Sequence, residues 1–285
     1  MKAAKMPLAA IGQIRSTASL SHNLTQCENL VRKAAAAGAD ALFLPEASDY
    51  IASTPTQSLS LCQPLSTSPF VLGLQAAAKQ HNISINVGVH EPSPSPSKLY
   101  NTLLWITPTG SITHTYRKLH LFDVDLSTGG SVSLRESASV VAGTGLTPPF
   151  PTPLGNMGML ICFDVRFPEA SGALRARGAH VITYPSAFTV ATGAAHWETL
   201  VRARAIETQC YVVAAAQVGV HDEEGKRESW GRGLIVDAWG TVVARLGGAE
   251  DEGEVAVAEV DLGLVERVRG GMVLRRREGV YGVVE

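Results

Sequence analysis

Little in this chain is extreme, and its shortages narrow the function first. Lysine and arginine (24) nearly balance aspartate and glutamate (26), for a formal net charge of -2. So even a balance gives no electrostatic footprint for nucleic acid or an anionic membrane surface, and a small molecule is the more natural partner. Cysteine is scarce: Cys27, Cys62, Cys162 and Cys210 are scattered, with no C-x-x-C pair. That excludes a disulfide framework and the usual zinc or dithiol motifs, and it suits a reducing, cytoplasmic setting. No apolar run approaches the ~20 residues of a membrane span. Acidic residues are missing before Glu28 while Lys2, Lys5 and Arg15 are present, the composition of a mitochondrial presequence, so a mitochondrial copy is considered. The segment Leu8 to Ile14 nevertheless reads better as a first strand. Asn23-Leu24-Thr25 and Asn82-Ile83-Ser84 match the glycosylation sequon and are read as chance, no signal peptide being recognised.

What is present is 285 residues, 45% of them hydrophobic and only 18% charged, enough for one large domain or two ordinary ones. Leu24, Cys27, Leu30, Val31, Ala34 and Ala35 are spaced for one helical face behind a plausible Asn23 cap, with Gly38 as the stop. Ala41-Leu42-Phe43-Leu44 is a short continuous apolar run, as in a strand buried on both faces, and Pro45-Glu46 ends it. Residues 51–68 turn to Ser, Thr, Pro and Gln and read as a loop. A helix follows from Pro69 toward Asn82, a strand from Ile83 to His90, and a hairpin from 101–107 and 111–116 around Pro108-Thr109-Gly110. The stretch 126–153 is long and irregular, as functional loops often are. A helix is expected over 168–177, a strand over 180–186, a helix over 196–209, a strand over 210–216, and strands over 234–238, 241–246 and 254–260. Residues 37–47 and 177–187 can be laid side by side, each a helix stop, a strand and a proline. Helices alternating with buried strands are the α/β signature, and no linker divides the chain.

Chemistry concentrates at strand ends. In 155–169 an apolar run stops at Cys162, charged residues follow, and Pro168 opens a helix. A thiol on such a strand-to-helix turn is held rigidly, and the next N–H points into the same space. The competing reading is a buried core cysteine. A nucleophilic thiol needs a proton acceptor or a lowered pKa. Histidine is the usual partner, but none of the eight stands in a telling context, and a Cys–His pair stays open. Glu46 and Lys118, also at strand ends, offer another solution: an enclosed glutamate with a raised pKa moves the proton, and an ammonium holds a developing oxyanion. His114, His120, Asp123 and Asp125 could suggest a metal cluster, but their spacing fits no established motif.

Leu-Pro-Glu46, Tyr-Arg-Lys118-Leu-His-Leu-Phe-Asp and Cys162-Phe-Asp-Val-Arg-Phe-Pro-Glu, in this order, resemble the three catalytic segments of the nitrilase superfamily of carbon–nitrogen hydrolases. Tyr184-Pro-Ser-Ala-Phe and 196–217 look like the Nit branch, especially its deaminated glutathione amidases. The resemblance implies a four-layer α-β-β-α sandwich over 7–265 with a C-terminal extension over 266–285. It implies a catalytic Glu46, Lys118 and Cys162, with Glu136 as a supporting second glutamate and the Phe163 N–H in the oxyanion site. Arg166, Tyr184 and Ala187 are expected at the substrate. No metal or organic cofactor is implied, and a homodimer or higher homo-oligomer is. The expected reaction is hydrolysis of the 2-oxoglutaramate-type amide of deaminated glutathione to 2-oxoglutarate and cysteinylglycine. The alternatives are an ω-amidase acting on the free 2-oxo acid monoamide and a non-catalytic interaction protein on the same scaffold. Phe163 in place of a tyrosine, Trp230-Gly231-Arg232-Gly233 in place of aromatic-Gly-His-Ser, and Leu126-Ser127-Thr128 in place of Ile-Pro-Gly are departures that bear on loop geometry.

Overall fold

Residues 6–125, 133–275, 277 and 280 are described by the computed structural model, apart from the side chains of 125, 133 and 134. The departure at 126–128 therefore lies outside the described residues, as does most of the chain beyond 275.

The first half runs β1 (Leu8–Gly12), α1 (Leu20–Ala36), β2 (Ala41–Phe43), α2 (Pro55–Leu61), α3 (Pro69–His81), β3 (Ser84–Pro92), β4 (Leu99–Ile106) and β5 (Ile112–Arg117). A short ribbon of β6 (Asp123–Asp125) and β7 (Ser133–Arg135) follows. The second half runs β8 (Phe150–Thr152), β9 (Gly155–Met159), α4 (Pro168–Ala176), β10 (Val181–Thr183), α5 (Val190–Thr208) and β11 (Tyr211–Ala214). It ends with the ribbon β12 (Val218–Val220) and β13 (Glu228–Trp230), then β14 (Leu234–Val236), β15 (Val242–Arg245), β16 (Val255–Glu259) and α6 (Leu262–Gly271).

Two six-stranded sheets result, ordered β16-β1-β2-β3-β4-β5 and β15-β14-β11-β10-β9-β8. Each centres on three parallel strands joined by helical crossovers and is extended by antiparallel strands. The repeat seen at 37–47 and 177–187 extends to individual bonds. Leu44 N–H donates to Asn86 O at 2.8 Å and Tyr184 N–H to Val213 O at 2.9 Å. Leu8 N–H is received by Asp40 Oδ2 and Asn156 N–H by His180 Nδ1, one residue before β2 and β10 respectively.

The sheets pack face to face. Phe43, Trp105 and Tyr116 of the first share a core with Phe150, Met159 and Val181 of the second, and Trp105 meets Phe150 at 5.9 Å between ring centroids. Helices α1 and α3 cover the outer face of the first sheet through Leu30, Val31, Phe70 and Leu74. Helices α4 and α5 cover the second through Leu174, Trp197, Val201 and Ala205. This is the expected four-layer α-β-β-α sandwich. Burying both faces of the central strands explains their unbroken apolar runs.

Several boundaries move, for physical reasons. Helix α1 starts at Leu20, capped by Ser19, whose hydroxyl accepts from His22 N–H at 3.3 Å. Asn23 is instead fully buried inside it, and its amide bonds Thr17 and Asp49. The loop expected over 51–68 contains α2, capped by Thr54 with proline at its start. Helix α5 begins at Val190 behind a Thr189 cap rather than at 196. Helix α6 was not expected, and it runs across the anticipated boundary at 265 with Val265 and Val268 buried. No described helix is long and apolar enough to cross a membrane.

Candidate active site

The C-terminal ends of parallel strands are where open α/β sheets build sites, because the loops there diverge and leave a crevice. Here the loops after β2, β5, β7, β9 and β10 converge. The chain turns at Glu46 after Pro45, with Ala47 at φ 53°. Gly88 of β3 passes beneath: a Cβ there would stand 2.6 Å from Glu46 Cα, so only glycine admits this approach. Gln217, fully buried, donates to the Glu46 carbonyl at 3.0 Å and to that of Ala47 at 3.2 Å, fixing the turn from the second half of the chain.

Cys162 opens a 3-10 turn, Cys162–Arg166, and adopts φ 44°, a left-handed conformation that costs a non-glycine residue on the order of 1–3 kcal/mol. Two contacts hold it there. Its N–H donates to Pro185 O at 3.0 Å, and the Asp164 carboxylate receives Ile161 N–H at 2.9 Å. Asp164 has no exposed surface and also accepts from the Tyr116 hydroxyl at 2.7 Å and from His120 N–H at 3.0 Å. One carboxylate thus ties the turn carrying Cys162 to the strand end carrying Lys118.

At the centre, Lys118 Nζ lies 2.9 Å from Glu46 Oε1 and 2.8 Å from Glu136 Oε2. Asn101 Nδ2 donates to Glu46 Oε1 at 2.7 Å and to Glu136 Oε1 at 3.2 Å, and Ala187 N–H donates to Glu46 Oε2 at 2.9 Å. Glu136 is anchored in turn by Phe122 N–H at 2.7 Å. Glu46, Lys118 and Cys162 are 5%, 2% and 7% exposed, so bulk solvent screens their charges weakly.

The electrostatics assign the resting protons. Burial alone would raise the Glu46 carboxyl, but the Lys118 ammonium, the nearby Cys162 thiol and hydrogen bonds from Lys118 and Asn101 outweigh it and hold it below the ordinary glutamate range. Burial pulls Lys118 down, yet Glu136 and Glu46 push it well above the ordinary lysine range. Burial and then the Glu46 charge raise the Cys162 thiol well above 9.0, against the opposing pull of Lys118. The site rests as carboxylate, ammonium and neutral thiol. The raised Glu46 pKa expected from enclosure is corrected by the ion pair, which sequence alone does not weigh.

Of the residues expected at a substrate, Arg166 lies beside this group. Its guanidinium sits 5.7 Å from the Phe163 ring centre and 5.8 Å from that of Phe188, and donates to His196 Nδ1 at 3.0 Å. Ala187 takes part through its main chain. Tyr184 is not brought in: strand alternation turns its fully buried ring outward, where its phenol neighbours Ser171 of α4 and Arg204 of α5. The Cys–His alternative finds no geometry, since no described histidine hydrogen-bonds the thiol and His120 Nδ1 is taken up by Asp164 at 2.7 Å. His114 stacks on Phe150 and Asp123 receives Ser137 N–H, so these members of the supposed metal group stand apart. Among the described residues no three His, Cys, Asp or Glu side chains are gathered to hold a metal ion. Asn101, Asp164 and Gln217 carry no role in the sequence reading. The one available signal was Asp164, two positions past the cysteine within a turn.

The carbon–nitrogen hydrolase family profile matches residues 8–270. The chain is 46% identical to a protein named probable hydrolase nit2 from Schizosaccharomyces pombe, over 98% of this chain and 100% of that one. It is 43% identical to the human protein named deaminated glutathione amidase, over 98% of this chain and 84% of that one. Among solved structures, the Caenorhabditis elegans NitFhit protein superposes with a TM-score of 0.89 at 39% identity, covering 98% of this chain and 67% of that chain. The chain belongs to the carbon–nitrogen hydrolase family, in the Nit branch of the nitrilase superfamily.

Proposed function

We propose that the protein is an amidase that hydrolyses deaminated glutathione, releasing 2-oxoglutarate and cysteinylglycine. The observation that carries the reading is the enclosed group of Glu46, Lys118 and Cys162, with Lys118 Nζ 2.9 Å from Glu46 Oε1 and all three side chains buried. A thiol that is neutral at rest calls for a base at the moment of attack, and Glu46 is the carboxylate whose charge acts most strongly on it.

In the proposed course, Glu46 takes the thiol proton as Sγ attacks the amide carbon. The oxyanion is held by Lys118 Nζ and the Phe163 N–H. Lys118 can serve because it grips both oxygens of Glu136, at 3.1 and 2.8 Å, and one of these bonds can be exchanged for the substrate oxygen. Collapse breaks the C–N bond, the departing amine takes the proton from Glu46, and a thioester remains. Water then gives a proton to Glu46 and attacks the thioester. The second collapse frees the acid, and the thiolate recovers its proton from Glu46. Glu136 and Asn101 keep Lys118 and Glu46 aligned through both steps, and Arg166 supplies a bidentate partner for the 2-oxo acid carboxylate. A cytoplasmic homodimer or larger homo-oligomer belongs to the same proposal, on family likeness alone.

Purified protein given deaminated glutathione is expected to release 2-oxoglutarate, and Cys162→Ala is expected to abolish the release. Undiminished activity of that variant would overturn the mechanism, and no release by the wild type would overturn the substrate.

A further inference from the structure

The ribbon β12–β13 is the feature of this site that the proposed chemistry leaves unused. Its loop carries Arg227, whose guanidinium donates to the Ala52 carbonyl at 2.7 Å, six residues along the chain from Glu46. The ribbon is anchored on the opposite side too. Trp230 N–H donates to Phe188 O at 2.9 Å and Ser229 bridges to Thr189, immediately after the Ala187 N–H that holds Glu46. The loop itself is stiffened by Asp222, which receives the main-chain N–H groups of Lys226 and Arg227 at 2.9 and 3.0 Å, so its carboxylate is spent on the turn.

Arg227 is therefore clamped between the two segments that position Glu46. It is exposed as a residue, but its guanidinium end reaches the carbonyl of the buried Ala52. No carboxylate among the described residues reaches it within ion-pair distance. Four of its five N–H donors are left for a ligand. Arg166, likewise without an ion pair, lies four residues past Cys162 against the rings of Phe163 and Phe188, and Arg227 lies against the loop that follows Glu46. Two cations without ion pairs thus stand on two different loops that build the site. Deaminated glutathione carries two carboxylates that flank the scissile amide, one on the 2-oxo acid and a more distant one on the glycine of the leaving group.

We propose that Arg227 is a specificity-determining residue that binds the glycine carboxylate of the leaving group, while Arg166 takes the 2-oxo acid carboxylate. The assignment rests on the function proposed above and adds to it a reason for preferring the dipeptide amide to the free monoamide, which lacks the second carboxylate.

The test compares kcat/KM of the full-length wild type, Arg227→Met and Arg227→Lys on three substrates: deaminated glutathione, the same compound with its glycine carboxylate masked as an amide, and 2-oxoglutaramate. Masking is expected to cost the wild type roughly 10- to 100-fold, mostly in KM, the loss typical of a hydrogen-bonded charge pair. Arg227→Met is expected to lower the ratio of deaminated glutathione to monoamide turnover by a similar factor and to respond to masking by less than about twofold. Arg227→Lys should recover part of the ratio. Equal penalties on all three substrates, or a masking cost in Arg227→Met that matches the wild type, would overturn the assignment. The masking arm in the wild type needs no variant to fold. Failure of the wild type to cleave deaminated glutathione at all would instead remove the function on which the assignment rests.

Discussion

The Ala187 N–H donates to Glu46 Oε2 at 2.9 Å, across the junction of the two sheets. Glu46 follows β2 and Ala187 follows β10, the equivalent strands of the two halves, each through a proline. The loop of the second half thereby orients a carboxylate of the first and leaves its other oxygen to Asn101 and Lys118.

Glu46→Gln keeps the shape of that side chain and removes the proposed base. Its kcat on deaminated glutathione is expected to fall by roughly 10²- to 10⁴-fold, the usual worth of a positioned general base. Steady-state kinetics check it, and a variant within a few-fold of the wild type would show that the proton goes elsewhere.

The pH profile should separate this base from a histidine. The active form needs Glu46 ionised, and its pKa is held below 4.5, so the acid limb of kcat/KM should lie below that value. The thiol stays neutral until well above 9.0, so no alkaline limb is expected between neutrality and that point. A histidine base would place the acid limb near ~6.5. The same depressed carboxyl contributes to stability above 4.5 and ceases to do so as pH falls through its folded value.

Asp164→Asn tests the turn beneath the thiol. An amide nitrogen in place of one carboxylate oxygen would face either the Ile161 N–H and Tyr116 hydroxyl or the His120 N–H and ring. Loss of one charged acceptor in a site with no exposure should cost about 1–3 kcal/mol in denaturant unfolding. A fall in kcat with little change in KM is expected alongside, as Cys162 loses its enforced φ of 44°. Unaltered kcat in a destabilised variant would confine Asp164 to a structural role.

His221 gives a separate handle on stability. Burial pushes its pKa down to about 4, and its ring bonds the Ser16 carbonyl at 2.9 Å and the Ser229 hydroxyl at 2.7 Å. The unfolded chain binds this proton more readily, so the contribution is complete above ~6.5 and declines as pH falls toward about 4. His221→Gln should flatten unfolding free energy against pH in that window, measured by urea titration. An unchanged slope would place the acid sensitivity in other groups.

Much of this was legible in the chain. The apolar runs at 41–44 and 181–184 announce strands buried on both faces, and the proline after each marks a turn at a strand's C-terminal end. Order along the chain also named Glu46, Lys118 and Cys162. Hidden from view were relationships that exist only after packing. Asn101 sits mid-chain in a hairpin strand and reaches both glutamates only because β4 lies beside β3. Tyr184 is expected at the substrate through the family resemblance, yet the pleat turns it away. The sign of the Glu46 shift depends on Lys118 at 2.9 Å, a distance no spacing rule supplies. Asn23 looked like a cap because its type favours caps, but burial diverted its amide to the loop at Asp49.

The division of the site between the two repeats has a consequence for the chain during its synthesis. Glu46, Asn101 and Lys118 belong to the first sheet and its loops, whereas Cys162 and Ala187 belong to the second. A chain released only as far as its first half holds an acid–base pair with nothing to activate. A second half alone holds a cysteine with no proton acceptor. Under the proposed mechanism the catalytic set is thus complete only once the two sheets have closed on each other, and neither half alone can hydrolyse an amide by it.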